Sequence, residues 1–222
     1  MSDEKALKIL NTLKKQYPNF EIILGKNSFE ILIATMLSAQ ANDKQTIPAA
    51  KNLLRKYKKP QDLAKADLKD VEAIIRSVGL YKTKARRLIT TARLIVDKHN
   101  GKVPETMQEL MALPGVGRKT ANIVVSKAFN KKEGIAVDTH VFRVSKRLGL
   151  SSGKTPAVVE RDLMKLYPKS AWNIINELFI AHGRNTCRAR DPRCESCILK
   201  SYCSFYKKEM KAKSSSISTN CI

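Results

Sequence analysis

Four of the five cysteines in this chain fall within one short run, CRARDPRCESCILKSYC, spaced Cys187-x6-Cys194-x2-Cys197-x5-Cys203. No other feature restricts the fold as tightly, because four thiols so close in sequence must be either cross-linked or gathered around a metal centre. In a chain read as intracellular the thiols stay reduced, and clustered cysteines are metal ligands. Zinc ribbons carry two separated C-x2-C pairs, whereas this run has one. A cubane iron–sulfur cluster also takes four thiolates and accepts irregular spacing. Spacing alone leaves zinc and iron–sulfur level. Arg184, Arg188, Arg190 and Arg193 surround the first two cysteines, diluted only by Asp191. A metal-ordered loop of this kind presents fixed positive charge to phosphates. The fifth cysteine, Cys221, lies in a Ser- and Lys-rich tail and reads as an incidental free thiol.

The intracellular reading rests on the N-terminus and on hydropathy. MSDEKALKILNTLKKQY carries early acids and no apolar signal core. The longest apolar run, ILIATML at 31–37, is far too short to span a bilayer. A soluble, cytoplasmic protein with no membrane partner is expected. Its formal charge is +22, from 42 Lys and Arg against 20 acidic residues. A field of that size favours a polyanion, and nucleic acid is the commonest in a cell. A ribosome-associated protein would share the charge but not the motifs below.

Strand-like alternation is scarce, and aromatics are only 6% of the chain. Helical spacing predicts helices over 3–16, 28–40, 47–57, 68–77, 82–98, 106–112, 118–130, 139–148, 156–166 and 171–182, an all-α fold. In 82–98, Ala85, Leu88, Ile89 and Ala92 form an apolar stripe between basic residues. Residues 208–222 are poor in apolar side chains and are expected to be a disordered basic tail.

Within this helical series stands LPGVGRKTAN at 113–122. A phosphate-binding P-loop would place glycine directly before the lysine and a strand before the loop. Here Arg118 takes the glycine position and the preceding ETMQELMAL is helical. The stretch therefore reads as helix, tight glycine turn, helix. Gly115 and Gly117 permit the turn and let backbone amides approach a phosphate. The following helix turns its positive end to the same anion. In isolation such a hairpin is more readily a plain helical corner, and Lys119 more often a phosphate contact than a nucleophile. Asp138 precedes the helical THVFRVSKRLGL and is expected to cap it.

Together, LPGVGRKTAN, AVDTHVFRV at 136–144 and the C-x6-C-x2-C-x5-C run resemble the endonuclease III family of helix–hairpin–helix DNA glycosylases. LSAQAND at 37–43 and VGLYKTKA at 78–85 match further family segments in order, so the likeness covers roughly residues 1–207. The resemblance implies a [4Fe–4S] cluster on Cys187, Cys194, Cys197 and Cys203, which decides between the two metals. It implies two helical domains flanking a DNA cleft. One is a six-helix barrel with the hairpin, at 22–132; the other, holding the cluster, joins 1–21 to 133–207. The implied partner is double-stranded DNA with damaged bases or abasic sites, bound by a monomer.

The resemblance also assigns residues. The Lys119 amine attacks C1′ of an oxidised or damaged pyrimidine nucleotide, expels the base and forms a Schiff base. β-Elimination then cuts the strand 3′ to the abasic site. Asp138 is the assisting carboxylate, as base or as electrostatic partner. Gly115, Val116, Gly117 and Arg118 contact phosphate, as does His140. Gln40 and Leu80 fill the space left by the flipped nucleotide, with Ser38 and Asp43 beside the lesion. Arg184 and Arg190 add charge, and His99 and His182 read as structural. Two rivals remain. The adenine-mismatch glycosylases of this fold lack the hairpin lysine and carry a longer C-terminal domain. A DNA-binding module without chemistry would give no reason for both Lys119 and Asp138.

Overall fold

The computed structural model describes residues 3–20, 25–41 and 43–208, with Asp43 represented by its backbone alone. The expected disordered tail, with Cys221, falls almost wholly outside this range, as does the Asp43 side chain. Among the described residues all regular structure is helical, and no helix is long and apolar enough to cross a membrane. The chain divides into two compact units. One is continuous, Ile23–Glu133; the other is discontinuous, joining Met1–Ile22 to Gly134–Ile222.

The continuous unit contains α2 (Ser28–Ser38), α3 (Asp43–Lys56), α4 (Pro60–Ala64), α5 (Leu68–Ile74), α6 (Tyr81–His99), α7 (Met107–Met111) and α8 (Arg118–Phe129). Helix α2 is SFEILIATMLS, apolar on nearly every side, and Phe29 and Ile31 through Leu37 are all buried. A helix of that composition can only be central. It packs against α3, α6 and α8, while α6 covers α4 and α5. Leu32, Ile33 and Leu37 meet Leu53, Leu63, Leu88, Ile95 and Leu110 in one core. Each such side chain contributes about 1.5–3 kcal/mol by leaving water. Caps set the helix starts. Asn27 accepts from the Glu30 amide at 3.0 Å, and Thr106 accepts from the Glu109 amide at 3.2 Å.

Two departures from the sequence expectation have local causes. Helix α3 begins at Asp43 rather than 47, carrying Pro48 inside it. The proline suggests a boundary, but in the second turn it removes only one intrahelical bond. Helix α4 was not anticipated. Its five residues start on Pro60, with the Asp62 carboxylate accepting from the Lys59 amide at 3.0 Å. Proline at the first helical position is pre-set for helix.

The discontinuous unit contains α1 (Asp3–Gln16), α9 (Thr139–Leu148), α10 (Pro156–Leu166) and α11 (Trp172–Asn185), followed by the cysteine segment. Ile9 and Leu13 of α1 share a core with Val141, Val144, Leu163, Ile175, Phe179 and Leu199. The Lys5 ammonium donates to the Leu148 carbonyl at 2.7 Å, capping the C-terminal end of α9. A cation there also meets the negative end of the helix dipole.

Candidate active site

The hairpin between α7 and α8 is anchored from inside. Leu113 and Val116 are buried in the core of the continuous unit, and the Thr91 hydroxyl of α6 donates to the Pro114 carbonyl at 3.0 Å. Its two glycines do different things. Gly115 has φ +83, and a Cβ there would stand 2.8 Å from the Arg87 side chain. That position needs glycine twice over. Gly117 sits at φ −89 and ψ 175, backbone that any residue adopts, and a Cβ would meet nothing within 4 Å. The turn therefore does not require Gly117. What its missing side chain leaves is open space in front of the start of α8, which has no side-chain cap. The first turn of α8 splits cleanly, with Arg118 and Lys119 exposed and Thr120, Ala121 and Asn122 buried.

Asp138 belongs to the other unit. The strand-like stretch before it is buried, with Ile135, Ala136 and Val137 all inside the core. Asn176 of α11 donates from Nδ2 to the Ala136 carbonyl at 2.7 Å. Asp138 then caps α9, its Oδ1 accepting from the Val141 amide at 2.8 Å and its carbonyl from Phe142 at 2.8 Å. One carboxylate oxygen is thus committed to the cap, and the half-buried side chain is held in one orientation. The expected capping role is present. Asn176, which fixes the approach, was not visible in the sequence.

Helix α9 continues from this carboxylate to the cysteines. On one face, at i, i+3 and i+7, it carries His140, Arg143 and Arg147. Arg143 donates from Nε to the Cys187 carbonyl at 3.0 Å and from Nη2 to the Gly183 carbonyl at 3.0 Å. Its Nη2 also lies 3.1 Å from His140 Nδ1. Arg147 donates to the Arg188 carbonyl at 2.6 Å, to the Ala189 carbonyl at 3.2 Å and to Cys187 Sγ at 3.4 Å. The close crossing of α9 and α11 is possible because position 183 has no Cβ, which would lie 2.9 Å from His140 Nδ1. The helix whose cap is Asp138 is therefore bolted to the cysteine loop through main-chain acceptors.

All four cysteines of the run are unbridged. Burial, with the other thiols adding to it, pushes the Cys194 and Cys197 thiols above their ordinary value. Four thiols that act on one another in this way occupy one small region. Yet among the described residues no three ligating side chains converge tightly enough for a single metal ion. His182, fully buried, places Nε2 3.7 Å from Cys197 Sγ, and burial pushes its imidazole down to about 4. Read from sequence as structural, it is buried here and faces a candidate ligand. Around the loop Arg188 pairs with Asp191 at 2.9 Å, while Arg184, Arg190 and Arg193 are exposed.

Gln40 and Leu80 stand out by conformation. Both are exposed and left-handed, at φ 53 and φ 61, and Leu80 keeps 63% of its surface in solvent. The Ser38 hydroxyl donates to the Thr35 carbonyl at 3.0 Å and turns back into α2.

Comparison with known proteins agrees with this geometry. Residues 33–169 match the model of the HhH-GPD superfamily base excision DNA repair proteins. Endonuclease III of Thermotoga maritima is 44% identical over 185 residues, covering 83% of this chain and 86% of its own. Endonuclease III of Escherichia coli K12 is 42% identical over 209 residues, 94% and 99% of the two chains. The chain belongs to the endonuclease III family. A solved structure of a trapped endonuclease III–DNA covalent intermediate superposes with a TM-score of 0.89 at 43% identity, covering 95% of this chain and 99% of that one. A thermostable thymine-DNA glycosylase, 24% identical with a TM-score of 0.80, shares the fold.

Proposed function

We propose that this endonuclease III family member is a base-excision repair enzyme, a DNA N-glycosylase for oxidised pyrimidines and an AP lyase, with Lys119 as its nucleophile. The observation that supports the reading most is the position of Lys119. It is exposed on the first turn of α8, behind a turn whose Gly117 leaves open space for a phosphate. The hairpin amides and the positive end of α8 hold the backbone beside the lesion. The damaged nucleotide leaves the stack to reach the amine. The Nζ–C1′ bond forms as the bond from C1′ to the base breaks, and the base departs with a proton. Opening of the sugar at C1′–O4′ yields the iminium. Loss of a C2′ proton forms the C2′=C3′ double bond and breaks the C3′–O bond, cutting the strand. Water then releases the amine. Asp138, fixed by its cap, takes the ammonium proton or balances positive charge at the sugar.

The experiment is borohydride trapping on abasic duplex DNA. A covalent protein–DNA adduct together with strand cleavage is expected. Cleavage without a trappable adduct would remove the imine from the mechanism, and neither product would leave a DNA-binding protein without this chemistry.

The four unbridged cysteines, on one segment with Cys187 Sγ against Arg147 of α9, offer the four thiolates that a [4Fe–4S] cluster takes. When bound, that group supplies four iron–thiolate bonds that order the arginine-bearing loop, and it takes no part in base removal. Cys187 is held by the α9 arginines whether or not the bonds form. Purified protein should be brown, absorbing near about 400 nm. Cys194→Ser should lose the colour and most of the soluble yield, and Cys221→Ser should change neither. A colourless, folded protein with one zinc per chain would refute the cluster. We place the enzyme with the genomic DNA, as a monomer.

A further inference from the structure

The left-handed backbone at Leu80 needs an explanation. A residue with a branched side chain disfavours this region by about 1–2 kcal/mol, and it persists only where the surroundings impose it. Among the described residues no side-chain cap imposes it at Leu80, where helix α6 begins, and Gly79 before it lies in open space. The same holds across the way at Gln40, whose tip is closed by one short turn, the Ala41 amide on the Ser38 carbonyl at 3.2 Å.

The two tips are joined by a buried lysine. Lys84 is 7% exposed and its Nζ donates to the Leu37 carbonyl at 2.6 Å. That carbonyl is in the last turn of α2, three residues before Gln40, where helix carbonyls lack intrahelical partners. Its amide donates to the Leu80 carbonyl at 2.9 Å. That amide bond is the first main-chain bond of α6, so the Lys84 side chain fastens the turn carrying Leu80 to the end of α2 that leads to Gln40, about forty residues away in sequence. Burial holds the amine below the ordinary lysine range, so this position carries a desolvation cost that a methionine of similar volume would avoid. The negative end of the α2 dipole offsets part of it.

We propose that Lys84 is a positioning residue that ties Gln40 and Leu80 into one rigid two-pronged wedge, so that it sets the ease of extruding a paired nucleotide. The proposal rests on the reading that these two tips enter the duplex. Unstacking and unpairing cost a few kcal/mol, and least for a nucleotide that is already mispaired. A loosened wedge is therefore felt most where the pair is strongest. A residue serving only the core would lower activity alike on every substrate.

The test uses the full chain with Lys84→Met and one oxidised pyrimidine, 5,6-dihydroxy-5,6-dihydrothymine, either paired with adenine or placed in a mismatch. Single-turnover base release should fall about tenfold on the paired lesion and less than about twofold on the mismatch. The ratio of the two rates comes from one preparation, so partial unfolding cancels. A 2-aminopurine beside the paired lesion should show a slower fluorescence rise on mixing. In a Leu80→Ala background, Lys84→Met should add almost nothing, because the two act as one unit. Equal losses on both duplexes, or no loss, would overturn the clamp while Leu80→Ala still impairs the paired substrate. If Leu80→Ala itself leaves paired and mispaired rates unchanged, the wedge reading fails and the clamp with it.

Discussion

Lys119→Gln is expected to hold abasic duplex nearly as tightly as the parent, yet to give no borohydride-trapped complex and no strand cleavage. The side chain is exposed at the start of α8, so its replacement should move stability by no more than about 0.5 kcal/mol. Binding loses at most one cation, which lowers the salt slope by about 0.9. In the proposed mechanism the hairpin holds phosphate through its backbone and Arg118, and both remain. Chemistry loses everything, because an amide cannot form an imine. Gel-shift titration and trapping on the same abasic duplex separate the two effects. A variant that binds weakly but still traps and cuts would make Lys119 a phosphate contact, and the nucleophile would have to be sought elsewhere.

Asp138 gives the second large effect, and here two substitutions are needed. Asp138→Asn keeps an oxygen for the Val141 amide, and asparagine caps as well as aspartate. It should therefore fold and bind DNA normally while turnover falls by about two to four orders of magnitude, the contribution of a positioned acid–base group. Asp138→Ala should lose the same activity and, in addition, about 1 kcal/mol of cap, lowering the Tm by about 2–4 °C. If Asn retained near-parental turnover, the carboxylate would be a cap and nothing more. Single-turnover rates and thermal melts on both variants decide it.

What could be read from the chain was whatever is encoded over a few neighbours. Helical periodicity announced α1, α2, α6 and α9, and a cap residue followed by an apolar run located Asp138. The glycine turn was legible at Gly115 because its backbone demands that residue. At Gly117 the backbone makes no such demand, so the conformational reason for glycine does not apply there. Helix α4 escaped because five residues are too few to show a period. The supporting contacts were out of reach for another reason. Asn176 holds Ala136, Arg143 holds Cys187 and Lys84 holds Leu37 across 40, 44 and 47 residues. Such pairs leave no trace in local pattern, since each side chain is an ordinary polar residue on an ordinary helix. The left-handed Gln40 and Leu80 were invisible likewise, because neither residue type favours that backbone.

The split of the chain has a consequence for how it is made. During synthesis the continuous unit, Ile23–Glu133, emerges whole and can close its core while the ribosome is still at work. Helix α1 emerges before it but finds nothing to pack on, since Ile9 and Leu13 bury against α9, α11 and Leu199. A helix made before the continuous unit thus settles after it, and its apolar stripe waits bare until α9 and α11 have been made. Cys203 appears later still, so the proposed cluster can be loaded only after the continuous unit has been made. On that proposal, a cell short of iron would accumulate chains complete in the continuous unit and unfinished in the discontinuous one, with α1 left for chaperones or proteases to find.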